Sequence, residues 1–303
     1  MGYNCVVLIK QVPDTKRITG NAMNDDGTVK RSALPAIFNP EDLNALEMAL
    51  QIKEKFGGKI TVITMGLPAA GAVLRDSLYR GADEAILVTD SRCAASDTLA
   101  TSYILSCAVK KLDYDIVLCG RQAIDGDTAQ VGPQLAEKLG ITQITYVESL
   151  EQLENTNIIA KRNIGNGWQK IKASLPVLLT VINTANEPRV AAARKIMKYK
   201  KALSPVEIRQ KIKTENPQAD ESDIEKLVEH KCSGLKNVNM LIKQWNLDDI
   251  SADLQWCGQS GSPTKVHRIQ SVVLTAKESK AIEPTEKGIA DMIHELISDK
   301  VIA

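Results

Sequence analysis

The residues best suited to chemistry lie in one run, Cys119-Gly120-Arg121-Gln122-Ala123-Ile124-Asp125-Gly126-Asp127-Thr128-Ala129-Gln130-Val131-Gly132-Pro133. The chemistry they suit is anion binding. An apolar run, Ile116-Val117-Leu118, precedes them, and a helical pattern, Leu135-Ala136-Glu137-Lys138-Leu139, follows and is closed by Gly140. A strand, a polar turn and a helix start bring backbone N–H groups and the positive end of a helix dipole to one place. Gly120, Gly126 and Gly132 let the chain bend and let a ligand approach the backbone. Thr128 is placed to cap the helix, with Pro133 best accommodated if regular helix starts a residue or two later. A plain capped strand-to-helix loop has the same makeup. The spacing fits neither GxGxxG nor GxxxxGK[ST], so those two phosphate-binding mechanisms are excluded for this loop.

Little else is arranged for chemistry. The three histidines, at 230, 267 and 294, are far from this loop in sequence, and no nucleophile–base pair stands out, so no catalytic residue is expected. The six cysteines, at 5, 93, 107, 119, 232 and 257, include no CxxC pair, so no metal site or iron–sulfur cluster is expected from this chain alone. Cys5, Cys107 and Cys119 sit in apolar runs and read as small buried hydrophobes of a reducing compartment. With 38 basic against 37 acidic residues there is no electrostatic case for nucleic acid or an acidic membrane surface. Neither a signal peptide nor a stretch of 18 apolar residues occurs, and a soluble, cytoplasmic protein without membrane insertion is expected.

The elements that must position the loop follow from periodicity. Apolar runs at 5–9, 60–65, 85–88 and 116–118 suit buried parallel strands. Lys10, at the end of the first, is set to meet a phosphate or an acidic partner, or simply water; Met65, at the end of the second, to pack on an adenine ring or in the core. Asn39-Pro40-Glu41-Asp42 combines an Asn cap, Pro at the first helical position and acids in the first turn, and Leu43, Leu46 and Leu50 continue the helix. Helices are also predicted over 68–79, from the Ser96-Asp97-Thr98 cap to about 111, and over 129–139. Asn24-Asp25-Asp26-Gly27 predicts a small hairpin within 15–37. The runs 144–148, 157–162 and 168–173 predict an antiparallel extension, with a turn at Gly165-Asn166-Gly167, and 176–182 predicts another buried strand. Five βα-type units in a row define the expected fold class: α/β, a doubly wound, mostly parallel, Rossmann-like sheet. Arg194, Lys195, Lys198, Lys200 and Lys201 make the segment 186–201 basic. Residues 204–240 read as a charged helical insertion, 245–264 as an irregular arm, and 285–299 as an amphipathic helix with Ile289, Met292, Ile293 and Leu296 on one face.

The run Gly-Arg-Gln-Ala-Ile-Asp-Gly-Asp-Thr-Ala-Gln-Val-Gly-Pro resembles the nucleotide-phosphate loop of electron-transfer flavoprotein β subunits, and more narrowly that of the electron-bifurcating branch. The similarity spans roughly residues 3–200, with a looser match near the C-terminus. What the resemblance implies is a sheet of the adenine-nucleotide-binding type in an electron-transfer subunit of a redox complex rather than a stand-alone enzyme, with three regions: a nucleotide- or FAD-binding domain over 1–203, the insertion 204–240, and a C-terminal arm and helix over 241–303 that contact an α subunit. It implies cofactor contacts from Leu8, Lys10, Asn39, Asp42, Met65, Asp97, Thr98 and Thr101, together with Gly120, Arg121, Gln122, Ala123, Ile124, Asp125, Gly126, Asp127, Thr128, Ala129, Gln130 and Val131. The segment Asn186 to Lys201 is implied to dock a partner dehydrogenase. Family members serving acyl-CoA dehydrogenases carry leucine then proline where this chain has Ala193-Arg194, which implies a different dehydrogenase.

In ordinary members the β subunit holds AMP beside one FAD; in the bifurcating branch the same pocket takes the adenosine half of a second FAD, which accepts a hydride from NADH. The glycine at 126, where non-bifurcating loops carry bulkier residues, suits a pyrophosphate leaving the pocket and so FAD. Electrons would then be divided between ferredoxin or flavodoxin and the dehydrogenase, or gathered in reverse. Two alternatives stand beside this: an AMP-holding single-FAD carrier, and a universal-stress-type nucleotide-binding regulator.

Overall fold

A computed structural model describes residues 2–14, 34–264 and 281–298. The chain opens with β1 (Cys5–Leu8), β2 (Gln11–Pro13) and β3 (Ala36–Phe38), then α1 (Pro40–Phe56), β4 (Ile60–Met65), α2 (Gly71–Arg80) and β5 (Glu84–Val88). It continues through α3 (Thr98–Val109), β6 (Ile116–Gly120), α4 (Val131–Leu139), β7 (Thr142–Glu154), β8 (Asn157–Asn163), β9 (Trp168–Ser174) and β10 (Val177–Val181). The last elements are α5 (Ala193–Tyr199), α6 (Pro205–Glu215), α7 (Glu221–Asn237), β11 (Lys243–Trp245) and α8 (Glu286–Ser298).

One nine-stranded sheet has the order β11-β5-β4-β1-β6-β10-β7-β8-β9. Seven strands run parallel, and β8 and β9 add antiparallel. The central strands are apolar on both faces because helices cover both. Cys5, Val7 and Ile9 pack with Leu46 of α1 and Leu74 of α2, while Val6 and Leu8 pack with Ile104 of α3 and Leu135 of α4. A strand that alternates sides into two apolar layers needs no polar residue, hence the continuous runs. The doubly wound α/β sheet with its antiparallel extension is the expected fold.

Three departures are informative. The strand expected at 144–148 runs on to Glu154 and is parallel to β10 through its first half, antiparallel to β8 through its second. Its second half lacks a clean alternation and buries only Leu153; the two-residue turn after it puts Asn155 at φ +52, a role Asn tolerates. The start of the segment read as an outward arm belongs to the domain. β11 pairs with β5, and Leu247, Ile250 and Cys257 are buried against α3. An otherwise open sheet edge and uncovered apolar surface on α3 supply the reason. The flanks of the expected hairpin, β2 and β3, pair antiparallel, whereas the turn at 24–27 lies outside the described residues, as does His267.

Residues 205–237 form two helices with their own small core of Ile208, Ile212, Ile224 and Val228. A capping box starts α6: the Ser204 hydroxyl accepts from Glu207 N while the Glu207 carboxylate accepts from Ser204 N. Glu207 also pairs with Arg75 of α2 at 2.7 Å, tying the helices to the sheet layer. On α8, Ile289, Ile293 and Ile297 are exposed. No helix among the described residues is long and apolar enough to cross a membrane.

Candidate functional site

The chain leaves β1 for β4 on one side and returns to β6 on the other, so the connections after β1 and β6 diverge. That divergence opens a crevice at the carboxyl ends of the strands, where doubly wound sheets bind ligands. Here it is a cleft of about 390 Å³, floored by Leu8, Ile63, Met65 and Leu105 and rimmed by the loop after β6.

The loop is held by the start of α1. Asn39 Nδ2 donates to Gln122 O at 2.9 Å and Asn39 Oδ1 accepts from Ile124 N at 3.2 Å. Glu41 accepts from Gln122 N at 2.9 Å and pairs with Arg121 at 2.9 Å. Asp42 accepts from Lys10 N at 2.8 Å and Gly120 N at 2.9 Å, joining the ends of β1 and β6. Gly120 is obligatory for this approach, since a Cβ there would lie 2.5 Å from Asp42 Oδ1. Burial pushes the Asp42 carboxyl up to about 7, against the opposing donation from Gly120, Asn39 and Lys10. Asn39 therefore does not cap α1, which the sequence predicts; its side chain makes no capping bond and is spent on the loop.

Thr128 is not a cap either. Helix α4 starts at Val131, and Gln130, which precedes it in the cap position, makes no side-chain capping bond. The chain reaches α4 through two non-glycine residues in the left-handed region, Asp127 at φ +48 and Ala129 at φ +53. Each costs roughly 1–2 kcal/mol. Among the described residues, the N–H groups of Thr128, Ala129 and Gln130 meet no acceptor of the chain. Left-handed Ala129 followed by right-handed Gln130 turns successive N–H groups toward one place, the backbone form of an anion-binding concavity. Beside it, a Cβ added at Gly126 would meet nothing within 4 Å. The stretch is latched rather than loose: Lys10 pairs with Asp125 at 2.7 Å, Gln122 donates to Asp127 at 3.0 Å, and Thr98 donates to Gln130 at 2.8 Å.

Asp97 caps α3 as expected, accepting from Leu99 N and Ala100 N, and its second oxygen accepts from Thr264 N. Every residue implied as a cofactor contact lines this one cleft except Asn39 and Ile124, which sit behind it and brace it. Ile9, Ile63, Ser96, Leu105, Cys119 and Gly132 also line it and were not among the implied cofactor contacts. Two carried a usable signal: Ile63 lies two residues before Met65 on a strand, and Leu105 four after Thr101 on a helix. Burial raises the Cys119 thiol well above its ordinary value, so it is no nucleophile. Among the described residues no group of three His, Cys, Asp or Glu side chains could hold a metal. Chemically, such an arrangement is suited to hold an anionic ligand with an apolar end.

The basic segment is braced too. Arg189 pairs with Glu47 at 2.7 Å and also with Glu54, and Asn44 donates to Asn186 O at 2.7 Å. Val190 (86 % exposed) and Met197 (66 % exposed) project from the segment so held.

Fold and cleft together define a doubly wound α/β protein of the adenine-nucleotide-binding type. A model of the electron transfer flavoprotein domain matches residues 26–207. The electron transfer flavoprotein subunit beta of Clostridium acetobutylicum is 37% identical over 99% of this chain and 100% of its own length. That of Thermoanaerobacterium thermosaccharolyticum is 43% identical over 87% of this chain and 86% of its own. The acryloyl-CoA reductase electron transfer subunit gamma of Anaerotignum propionicum is 44% identical over 65% of this chain and 74% of its own. The chain belongs to the electron transfer flavoprotein family, as a β subunit. It is an electron-transfer component that works beside an α subunit and redox partners, and the universal-stress-type alternative falls away.

Proposed function

We propose that this chain is the β subunit of an electron-bifurcating flavoprotein and that its cleft holds the adenosine and pyrophosphate of an FAD. The observation that carries this reading is the stretch Gly126–Gln130, where open space beside a side-chain-free residue adjoins three unengaged N–H groups. A monophosphate needs only the N–H cluster; a pyrophosphate needs the space as well. Leu8, Ile63, Met65 and Leu105 offer a ring an apolar shelf, Thr128, Ala129 and Gln130 offer the anion their N–H groups, and Thr98 and Thr101 line the same cleft with hydroxyls. When bound, the flavin supplies the ability to accept a hydride from NADH and to release electrons singly. What the chain does is bind, orient and insulate: Asp42, Glu41 and Asn39 hold the loop, so that position and environment are set before any cofactor arrives.

In this role the complex takes electrons from NADH and divides them between ferredoxin or flavodoxin and a partner dehydrogenase, or runs in reverse. The dehydrogenase docks at residues 186–201. Measuring nucleotides released from the denatured native complex tests the reading. About two FAD per αβ pair without AMP is expected; one FAD with one AMP overturns it and leaves a single-FAD carrier.

A further inference from the structure

Tyr146 lies in mid-strand, where its φ of +58 is foreign to a β-conformation and rare for a bulky side chain. The register of β7 against β10 breaks between Leu179 and Val181, directly opposite, and Tyr146 N donates to the Thr180 hydroxyl at 3.1 Å in the gap. A bulge of this kind re-aims a side chain. Core packing does not account for it, because Tyr146 is 39 % exposed. The re-aimed ring instead lies under the guanidinium of Arg121, whose carbon is 5.5 Å from the ring centroid.

Arg121 lines the cleft and is, among the described residues, one of two cations there; the other, Lys10, is already paired with Asp125. Its Nη2 is held by Glu41 at 2.9 Å, its backbone N–H by Val181 O at 2.9 Å, and its Nε is buried with no partner among the described residues. One edge of the guanidinium is thus committed to a buried carboxylate and one face to Tyr146. We infer that Tyr146 is a positioning residue for the nucleotide site: its strained backbone turns the ring against Arg121 and fixes the plane in which that cation faces the phosphate of the bound nucleotide. This rests on the reading that the cleft binds a nucleotide.

The test uses the full chain in complex with its α subunit, stripped of nucleotide and titrated with FAD and with AMP. Tyr146→Asn removes the ring but keeps a residue that tolerates left-handed backbone, so the thermal midpoint holds or rises. Affinity for the nucleotide that the unmodified complex binds falls about 3- to 10-fold, the range of a partly exposed cation–π contact. Tyr146→Phe restores it. On an Arg121→Gln background, Tyr146→Asn weakens binding no further. An Asn variant that binds like the parent, a Phe variant as weak as Asn, or additive losses in the double variant each overturn the inference. A parent complex that binds neither nucleotide overturns the reading of the cleft, and this inference with it, a result distinct from the other three.

Discussion

Gly126→Ala separates ligand binding from folding more cleanly than any other single change in the cleft. The added Cβ meets no atom of the chain within 4 Å, and Gly126 is not among the glycines with positive φ, so the folded backbone accepts alanine without strain. By reducing the freedom of the unfolded chain, the change should leave stability unaltered or raise it by about 0.4–1 kcal/mol. The methyl group enters the space assigned to the pyrophosphate. Overfilling a packed site costs about 1–3 kcal/mol, which is roughly 5- to 150-fold in FAD affinity. AMP, whose single phosphate needs only the N–H groups of Thr128 to Gln130, should lose much less. The assay is titration of the stripped αβ complex with each nucleotide, followed by flavin fluorescence for FAD and calorimetry for AMP, beside thermal melting. Gly120→Ala is the contrast, because its Cβ would fall 2.5 Å from Asp42 Oδ1 and 2.8 Å from Asp42 N. It should lower the melting midpoint by several degrees whatever is bound. Unchanged FAD affinity in Gly126→Ala would refute the assignment of that space to a pyrophosphate.

Three further outcomes are expected. Asp42 has a folded value of about 7 against an ordinary 3.8, so between those values the native state holds a proton that the unfolded chain has lost, and the group's contribution to stability declines as pH rises from 4 to 7. Urea unfolding of the parent and Asp42→Asn should therefore shift in favour of Asn by about 2–3 kcal/mol between pH 5 and 8, at about 1.4 kcal/mol per pH unit; a flat difference means that Asp42 is ionised throughout. Ser204→Ala removes a capping box and should cost about 1 kcal/mol, seen as faster hydrogen exchange in α6 with the cleft's nucleotide affinity untouched. Val190→Asp, at a fully projecting side chain, should leave melting within about 0.5 kcal/mol of the parent and flavin content unchanged, while electron transfer to the partner dehydrogenase drops at least tenfold; undiminished transfer removes Val190 from the docking surface.

Much of the cleft was legible because its parts are local in sequence. The loop 119–133 shows its strand, its glycines and its helix start, and the ends of the runs at Leu8 and Met65 mark the carboxyl edge of a parallel sheet. What misled was capping. Asn39 and Thr128 have the residue types and positions of helix caps, yet one side chain is spent on a loop more than eighty residues away and the other precedes the helix by three residues. A cap and a long-range brace need the same short polar side chain, so type and position alone do not separate them. The arm misled for a related reason: irregular sequence at 245–257 reads as departure from the domain, while Leu247, Ile250 and Cys257 are apolar enough to be pulled onto α3.

By itself the sequence determined the class of fold, most of its elements, the strand–loop–helix that rims the cleft and the family. Each rests on residues within a turn or two of one another: apolar periodicity, glycines where backbone must be bare, Pro and acids at a helix start. Only the tertiary structure decided that Asp42 joins the ends of β1 and β6, that Asp127 and Ala129 take left-handed backbone, and that a bulge in β7 sets Tyr146 against Arg121. Those features depend on which strands lie side by side and on how closely their ends approach. Distances between segments far apart in the chain are set by packing, and no local pattern encodes them.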